Sequence, residues 1–207
     1  MVIAFGSSGQ ALAQQVNNLP VVQAVVNTAG PAIAGQGAGQ RVGAMLQQRI
    51  ESSDAAVARE ARWLQQAGWP LYALVDRFSA GAPLTDQANC IAVAVYHEAR
   101  GESLEGQLAV AKVIMNRAAS GRYPTSWCGV VKQPWQFSFV RNGHFPSVDM
   151  QSASWRKALG VTRLAVANAI PGLSNDVLWY HADYVAPDWG RRLTRVEKIG
   201  AHIFYRS

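Results

Sequence analysis

Cys90-Ile91-Ala92-Val93-Ala94-Val95-Tyr96-His97-Glu98-Ala99-Arg100-Gly101-Glu102-Ser103 is the stretch from which the fold can be read outward. An apolar run too even for a loop passes directly into a cluster of charge and then into glycine. Thr85, just upstream, can cap a helix through Cys90, Ile91, Val95 and Glu98, and Gly101 stops it. At 3.6 residues per turn, Glu98 falls near the face of Ile91, Ala94 and Val95. A carboxyl held against hydrophobic surface resists ionisation, which suits a general acid working near neutral pH. A solvated helix-end charge screened by Arg100 is the plainer reading, and spacing alone does not choose between them.

Working outward, a second helix is expected from Ser103 or Leu104 to near Gly121, carrying Leu108, Ala111, Val113, Ile114 and Met115. A third runs from about Ser152 to Ala169, with Trp155, Leu159, Thr162 and Val166 near one stripe, and Pro171-Gly172 closes it. The period then changes to alternation. Val177 to His181, Leu193 to Lys198 and Ala201 to Arg206 read as short strands, the last two joined by a tight turn at Ile199-Gly200. Upstream, Asp54 to Gln66 and Leu71 to Phe78 read as helices separated by Gly68-Trp69-Pro70. The expected fold is α+β and mainly helical, with a small antiparallel three-stranded sheet near the C-terminus. The expected organisation is a signal-peptide remnant at 1–13, an Ala/Gln/Gly-rich lead or linker at 14–52, a helical hairpin or extension at 53–82, and a dense domain at 83–207.

The 207-residue chain is 49% hydrophobic and 15% charged, too apolar for a disordered protein, and its net charge of +6 favours anionic partners. Leu19 to Gly35 is broken by Gln23, Asn27 and Pro31, so no transmembrane segment is expected. Ala11-Leu12-Ala13 has the small-x-small form of a signal-peptidase site, with Gln14 starting the mature protein. Cys90 and Cys128 are the two cysteines. They would stay free in a reducing compartment and pair in an oxidising one.

Several blocks, in order, carry a resemblance. Cys90 to Ser103 is followed by Glu105-Gly106-Gln107, the run to Asn116-Arg117, Tyr123-Pro124, Cys128-Gly129-Val130-Val131 and Gln136-Phe137-Ser138-Phe139. Trp179-Tyr180-His181-Ala182-Asp183-Tyr184-Val185, Pro187, Trp189, Gly200, His202, Phe204 and Tyr205 continue it. Together they resemble the spore-cortex-lytic (SleB-like) family of cell-wall hydrolases, over roughly residues 86–206. The resemblance implies a lysozyme-like catalytic domain acting on peptidoglycan, often as a lytic transglycosylase, with Glu98 in the catalytic position. It also implies export to the periplasm or cell exterior and a Cys90–Cys128 disulfide. Lys132-Gln133-Pro134-Trp135 is shorter than the loop relatives often carry there, commonly with a further cysteine; this loop is expected to line the glycan cleft.

A retaining or inverting glycosidase uses two carboxylates. Glu102, Glu105, Asp149, Asp176, Asp183 and Asp188 are the candidates for a second, and none stands out. The expected chemistry is therefore a single-glutamate route, with a two-carboxylate glycan hydrolase as the alternative. Gln136, Phe137 and Ser138 are expected at the substrate, the two polar side chains on one face of an alternating segment. Tyr184 offers a flat face for a sugar. Of Tyr180 and His181, which alternate, His181 is expected to face the cleft. Asn116 and Arg117 read as structural, and Arg100 as a possible carboxylate partner.

Other readings are weaker. A zinc amidase would need HExxH, but Gly101 stands where the second histidine belongs. A non-catalytic wall-binding module, or a nucleic-acid binder using Arg191, Arg192 and Arg195, would account for the charge, but no nucleic-acid motif is present. No Gly-x-Ser-x-Gly elbow occurs. The expected partner is the peptidoglycan glycan strand, with no nucleic acid, no cofactor, no metal, and a monomeric protein.

Overall fold

The structure, a computed structural model, describes residues 38–207. The expected signal segment and residues 14–37 of the expected lead lie outside the described residues. Among the described residues six α-helices precede the sheet: α1 (Ala38–Gln66), α2 (Leu71–Arg77), α3 (Asp86–Ala99), α4 (Leu104–Ala119), α5 (Trp127–Lys132) and α6 (Ala153–Val166). Strands β1 (Val177–Ala182), β2 (Thr194–Ile199) and β3 (His202–Arg206) follow, with a short 3-10 turn at Asp188–Arg192 between β1 and β2. The fold is mainly helical α+β with a small antiparallel sheet at its C-terminal end. No described helix is long and apolar enough to cross a membrane.

Capping chemistry fixes where the helices begin. Thr85 Oγ1 accepts from Ala88 N at 3.2 Å, Ser103 Oγ from Gly106 N at 3.2 Å, and Ser152 Oγ from Trp155 N at 3.1 Å. The end of α6 falls at Val166, short of the expected Ala169, because Asn168 takes the left-handed conformation (φ 48°) that closes a helix. Two further differences concern length. α5 was not anticipated; one and a half turns capped by Ser126 are too short to show a period. α1 starts at Ala38 and crosses the expected start at Asp54 without a break. Gly39 and Gly43 each weaken a helix by about 1 kcal/mol, but Ala44 to Glu51 is almost entirely good helix formers, and propagation is easy once a helix exists. Burial in α1 begins only at its C-terminal half, with Ala58, Ala61 and Leu64; Val42, Met45 and Leu46 are exposed.

α3 is the central helix. Ile91, Ala92, Ala94 and Val95 have no exposed surface, and α4, α5 and α6 surround them. Cys90 of α3 is disulfide-bonded to Cys128 of α5 across a sequence separation of 38, so the pairing implied by the resemblance is present. Gly160 lets α6 lie close against α2, since a Cβ there would strike the carbonyl oxygen of Val75.

A second apolar cluster of Ala109, Val113, Leu173, Val177 and Phe204 joins α4 to the sheet. Asn116 Nδ2 fastens this join by donating to Ser174 O at 2.9 Å and Val177 O at 3.0 Å. The strand order is β1-β3-β2, all neighbours antiparallel. Gly200, at φ 58°, makes the turn between β2 and β3. Glu102, just beyond α3, holds that turn by accepting from Ala201 N at 2.8 Å. The sheet is thereby fixed against the C-terminal end of α3, where Glu98 sits.

Candidate active site

Glu98 occupies the last turn of α3 and is half-buried. Its neighbours come from α4 and β1. The Tyr180 hydroxyl donates to Glu98 Oε1 at 3.5 Å, the long limit of a hydrogen bond. Arg117 is 3% exposed and carries a full charge into the interior. Its Nε donates to Leu178 O at 2.7 Å, and its guanidinium lies over the rings of Tyr123 (5.1 Å) and Tyr180 (5.8 Å). Arg117 Nη1 and His202 Nδ1 are buried without a hydrogen-bond partner among the described residues.

Burial raises the pKa of Glu98 above the ordinary carboxyl value, while the Tyr180 hydrogen bond and the Arg117 charge pull it partly back. Burial and the nearby Glu98 charge push the Tyr180 phenol well above its usual value, so it remains a donor. The sign of one substitution follows. Tyr180→Phe removes a hydrogen bond that favours the carboxylate, so the Glu98 pKa should rise further. If Glu98 acts as an acid, the alkaline limb of the pH–rate profile should move to higher pH; an unmoved limb would show that this bond does not tune the carboxyl.

Two cavities share Glu98, Gln136 and Ser138 in their walls. The larger, about 1020 Å³, is otherwise lined by residues 132–137 and 140–143. The smaller, about 300 Å³, adds Arg117, Tyr180, His181, Ala182, Tyr184 and His202. Glu98 thus stands where a wide apolar-and-basic trough meets a narrow polar one. Among the described residues no three of His, Cys, Asp and Glu converge to hold a metal ion.

The expected residues gather unevenly here. Gln136 and Ser138 line both cavities, though from tight turns rather than a strand: Gln136 N donates to Gln133 O and Val140 N to Phe137 O, both at 3.2 Å. Phe137 lies in the larger wall but is only 3% exposed, its ring 5.6 Å from that of Phe139, so it supports the wall from behind. Tyr184 is 85% exposed at the smaller cavity. Both ring nitrogens of His181 are engaged. Nδ1 donates to Ala182 O at 2.8 Å, which leaves Nε2 to accept from the Tyr205 hydroxyl at 2.9 Å.

His181 lines the smaller cavity, where it was expected, but Tyr180, expected to face away from the cleft, lines it too and bonds the Glu98 carboxyl. Arg117, read as purely structural, is at the site as well. Its signal was present in the sequence: it follows Val110, Val113 and Ile114 on the buried stripe of α4, where an unpaired cation is out of place.

The fold and this site define a class. The chain belongs to the cell wall hydrolase family, whose sequence profile matches residues 101–205, from just past Glu98 to the end of the sheet. The chain is an enzyme of that family. Among curated proteins it is similar to the spore cortex-lytic enzyme of Bacillus subtilis (strain 168), 39% identical over 119 residues, a match covering 55% of this chain and 35% of the relative. The spore cortex-lytic enzyme of Oceanobacillus iheyensis is 36% identical over 117 residues, covering 55% of this chain and 39% of the relative. The chain therefore spans well under half the length of these relatives. Of solved structures, the catalytic domain of the Bacillus cereus SleB protein aligns with a TM-score of 0.49 at 31% identity, over 62% of this chain and 96% of that one. The catalytic domain of the germination-specific lytic transglycosylase SleB from Bacillus anthracis aligns with the same TM-score and identity, over 61% and 100%.

Proposed function

We propose that this chain cuts the glycan strand of peptidoglycan between N-acetylmuramic acid and N-acetylglucosamine, as a lytic transglycosylase with Glu98 as its one catalytic carboxyl. The observation that carries the reading is that Glu98 is the sole carboxylate in the walls of the two adjoining cavities, among the described residues. Of the other candidates, Glu105 and Asp149 line neither cavity, and the rest are engaged elsewhere. Glu102 caps the β2–β3 turn, Asp183 pairs with Lys198 at 2.7 Å, Asp176 with Arg206 at 3.3 Å, and Asp188 with Arg191 at 3.0 Å.

A single carboxyl can serve both halves of the reaction. In its protonated form, which burial favours, Glu98 gives its proton to the glycosidic oxygen as the C1–O bond breaks. The resulting carboxylate takes the proton of the muramic C6 hydroxyl as that oxygen bonds to C1. No water enters, and the product ends in a 1,6-anhydro ring. Arg117 lies close enough to steady the carboxylate between the two transfers, and Tyr180 donates to it. Gln136 and Ser138 supply hydrogen bonds to sugar substituents, Tyr184 a face for a ring, and His181 holds the smaller wall through Tyr205. The disulfide suits an oxidising compartment, in keeping with action outside the cytoplasm.

Digestion of purified bacterial sacculi followed by mass spectrometry tests the proposal. Released muropeptides should be one water lighter than hydrolytic products. Ordinary reducing ends would instead make the enzyme a hydrolase with a positioned water, and cleavage at the lactyl amide would make it an amidase.

A further inference from the structure

We infer that Trp135 is a stacking platform for a pyranose ring of the glycan, forming a binding subsite in the larger cavity, away from the bond that is cut. The inference rests on the glycan-cleaving reading above and adds a residue and a subsite to it.

Trp135 is in two respects a poor choice for the fold. It is fully exposed, at 102% of its reference surface, so the largest apolar side chain in the protein buries nothing. Its backbone is also left-handed, with φ 65°, a conformation comfortable for glycine and tolerated by asparagine but unfavourable to a bulky residue. Among the described residues the indole makes no hydrogen bond, ring contact or cation–π contact. Glycine or asparagine would serve the Pro134–Gln136 turn better. Strain and exposure that the fold does not repay mark a position kept for contact with something else.

The position indicates what that contact is. Trp135 and Gln136 line the larger cavity together with Glu98. A ligand that fills this cavity therefore meets both the indole and the carboxyl. A glycan in this trough presents flat C–H faces to an aromatic ring and hydroxyl and acetamido groups to its N–H edge. The exposed Tyr184 borders the smaller cavity. The two cavities that share Glu98 thus each carry an open aromatic ring, an arrangement suited to gripping a strand at more than one sugar.

The experiment uses the full chain carrying Glu98→Gln to prevent turnover, titrated calorimetrically with a hexasaccharide of alternating N-acetylglucosamine and N-acetylmuramic acid. Adding Trp135→Asn, which keeps the left-handed turn but removes the ring, should weaken binding by roughly tenfold. Trp135→Tyr, which restores a flat ring, should recover most of the affinity. The melting temperature of the Asn variant should be equal to or above that of its parent. On sacculi, Trp135→Asn with Glu98 intact should raise KM and leave kcat nearly unchanged. Equal affinity of the Asn variant overturns the inference while the glycan-cleaving reading stands. So does a melting temperature that falls along with affinity, because the ring would then be part of the fold. If the Glu98→Gln protein with Trp135 in place does not bind the hexasaccharide, and wild type releases nothing from sacculi, the functional reading fails and takes this inference with it.

Discussion

Glu98→Gln should abolish release of fragments from sacculi and leave the protein folded, and at neutral pH more stable than wild type. The loss in kcat should lie toward the upper end of the roughly 10²–10⁴-fold typical of a positioned acid or base, because the same group is asked to act twice. Glutamine keeps the shape and can still accept from Tyr180, but it has no proton of the required acidity. The gain in stability follows from the direction of the pKa shift. Burial raises the pKa of the folded state, so between the unfolded and folded values the native chain holds a proton that the unfolded chain has released. Stability therefore falls as pH rises through that interval, and above it the full penalty of a buried carboxylate is present. Glutamine removes the penalty. Thermal melts of both proteins at about pH 4 and pH 8 should coincide at the acid end and separate at the alkaline end, with the variant higher. A variant that cuts as well as wild type would remove Glu98 from the chemistry altogether; one that is inactive but less stable at pH 8 would mean the carboxylate holds the fold together.

The second large effect concerns the bond between Cys90 and Cys128. Replacing both with serine or alanine should lower stability by roughly 3–4 kcal/mol, the chain-entropy value for a loop of this size. For a domain of this size that corresponds to a melting temperature lower by roughly 6–16 °C. The loop it closes contains the end of α3 with Glu98, all of α4 with Arg117, and the start of α5. α5 leads directly into the turns carrying Gln136 and Ser138, so activity at moderate temperature should fall with the melt. Addition of a thiol reductant to wild type should reproduce the variant. A melting temperature that moved by only a degree or two under both treatments would show that α3 and α5 are held by packing alone.

Much of this could be read from the sequence because local chemistry and burial agree there. The helices begin at Thr85, Ser103 and Ser152, residues whose side chains bond the first free amide groups, and their apolar faces repeat with helical period. The three strands fall within a residue or so of the expected spans, although their burial does not alternate. What could not be read depends on contacts distant in sequence. Whether Tyr180 or His181 faces Glu98 depends on how β1 seats on α4, which Asn116 fixes through carbonyls 58 and 61 residues away. Arg117 makes the structural bond to Leu178 O expected of it, and its place beside Glu98 was hidden for a related reason. An arginine on a buried stripe reads as structural until Tyr123, Tyr180 and Glu98 are seen around it. Phe137 shows the reverse case: it was expected at the substrate, but alternation with Gln136 and Ser138 already turned its ring the other way, and packing keeps it behind the wall.

The strand order has a consequence for how the site comes into being. β3 lies between β1 and β2, yet it is the last of the three in sequence. A chain that emerges from its N-terminus can complete the helices, with the Glu98 carboxyl already in place, while neither outer strand has a neighbour to pair with. Tyr180 is fixed opposite that carboxyl only when His202–Arg206 arrives and closes both ladders together. Glu98 thus comes from an early element and the wall opposite it from a late one. A C-terminally clipped chain lacking β3 would carry the glutamate without the pairing that holds Tyr180 opposite it.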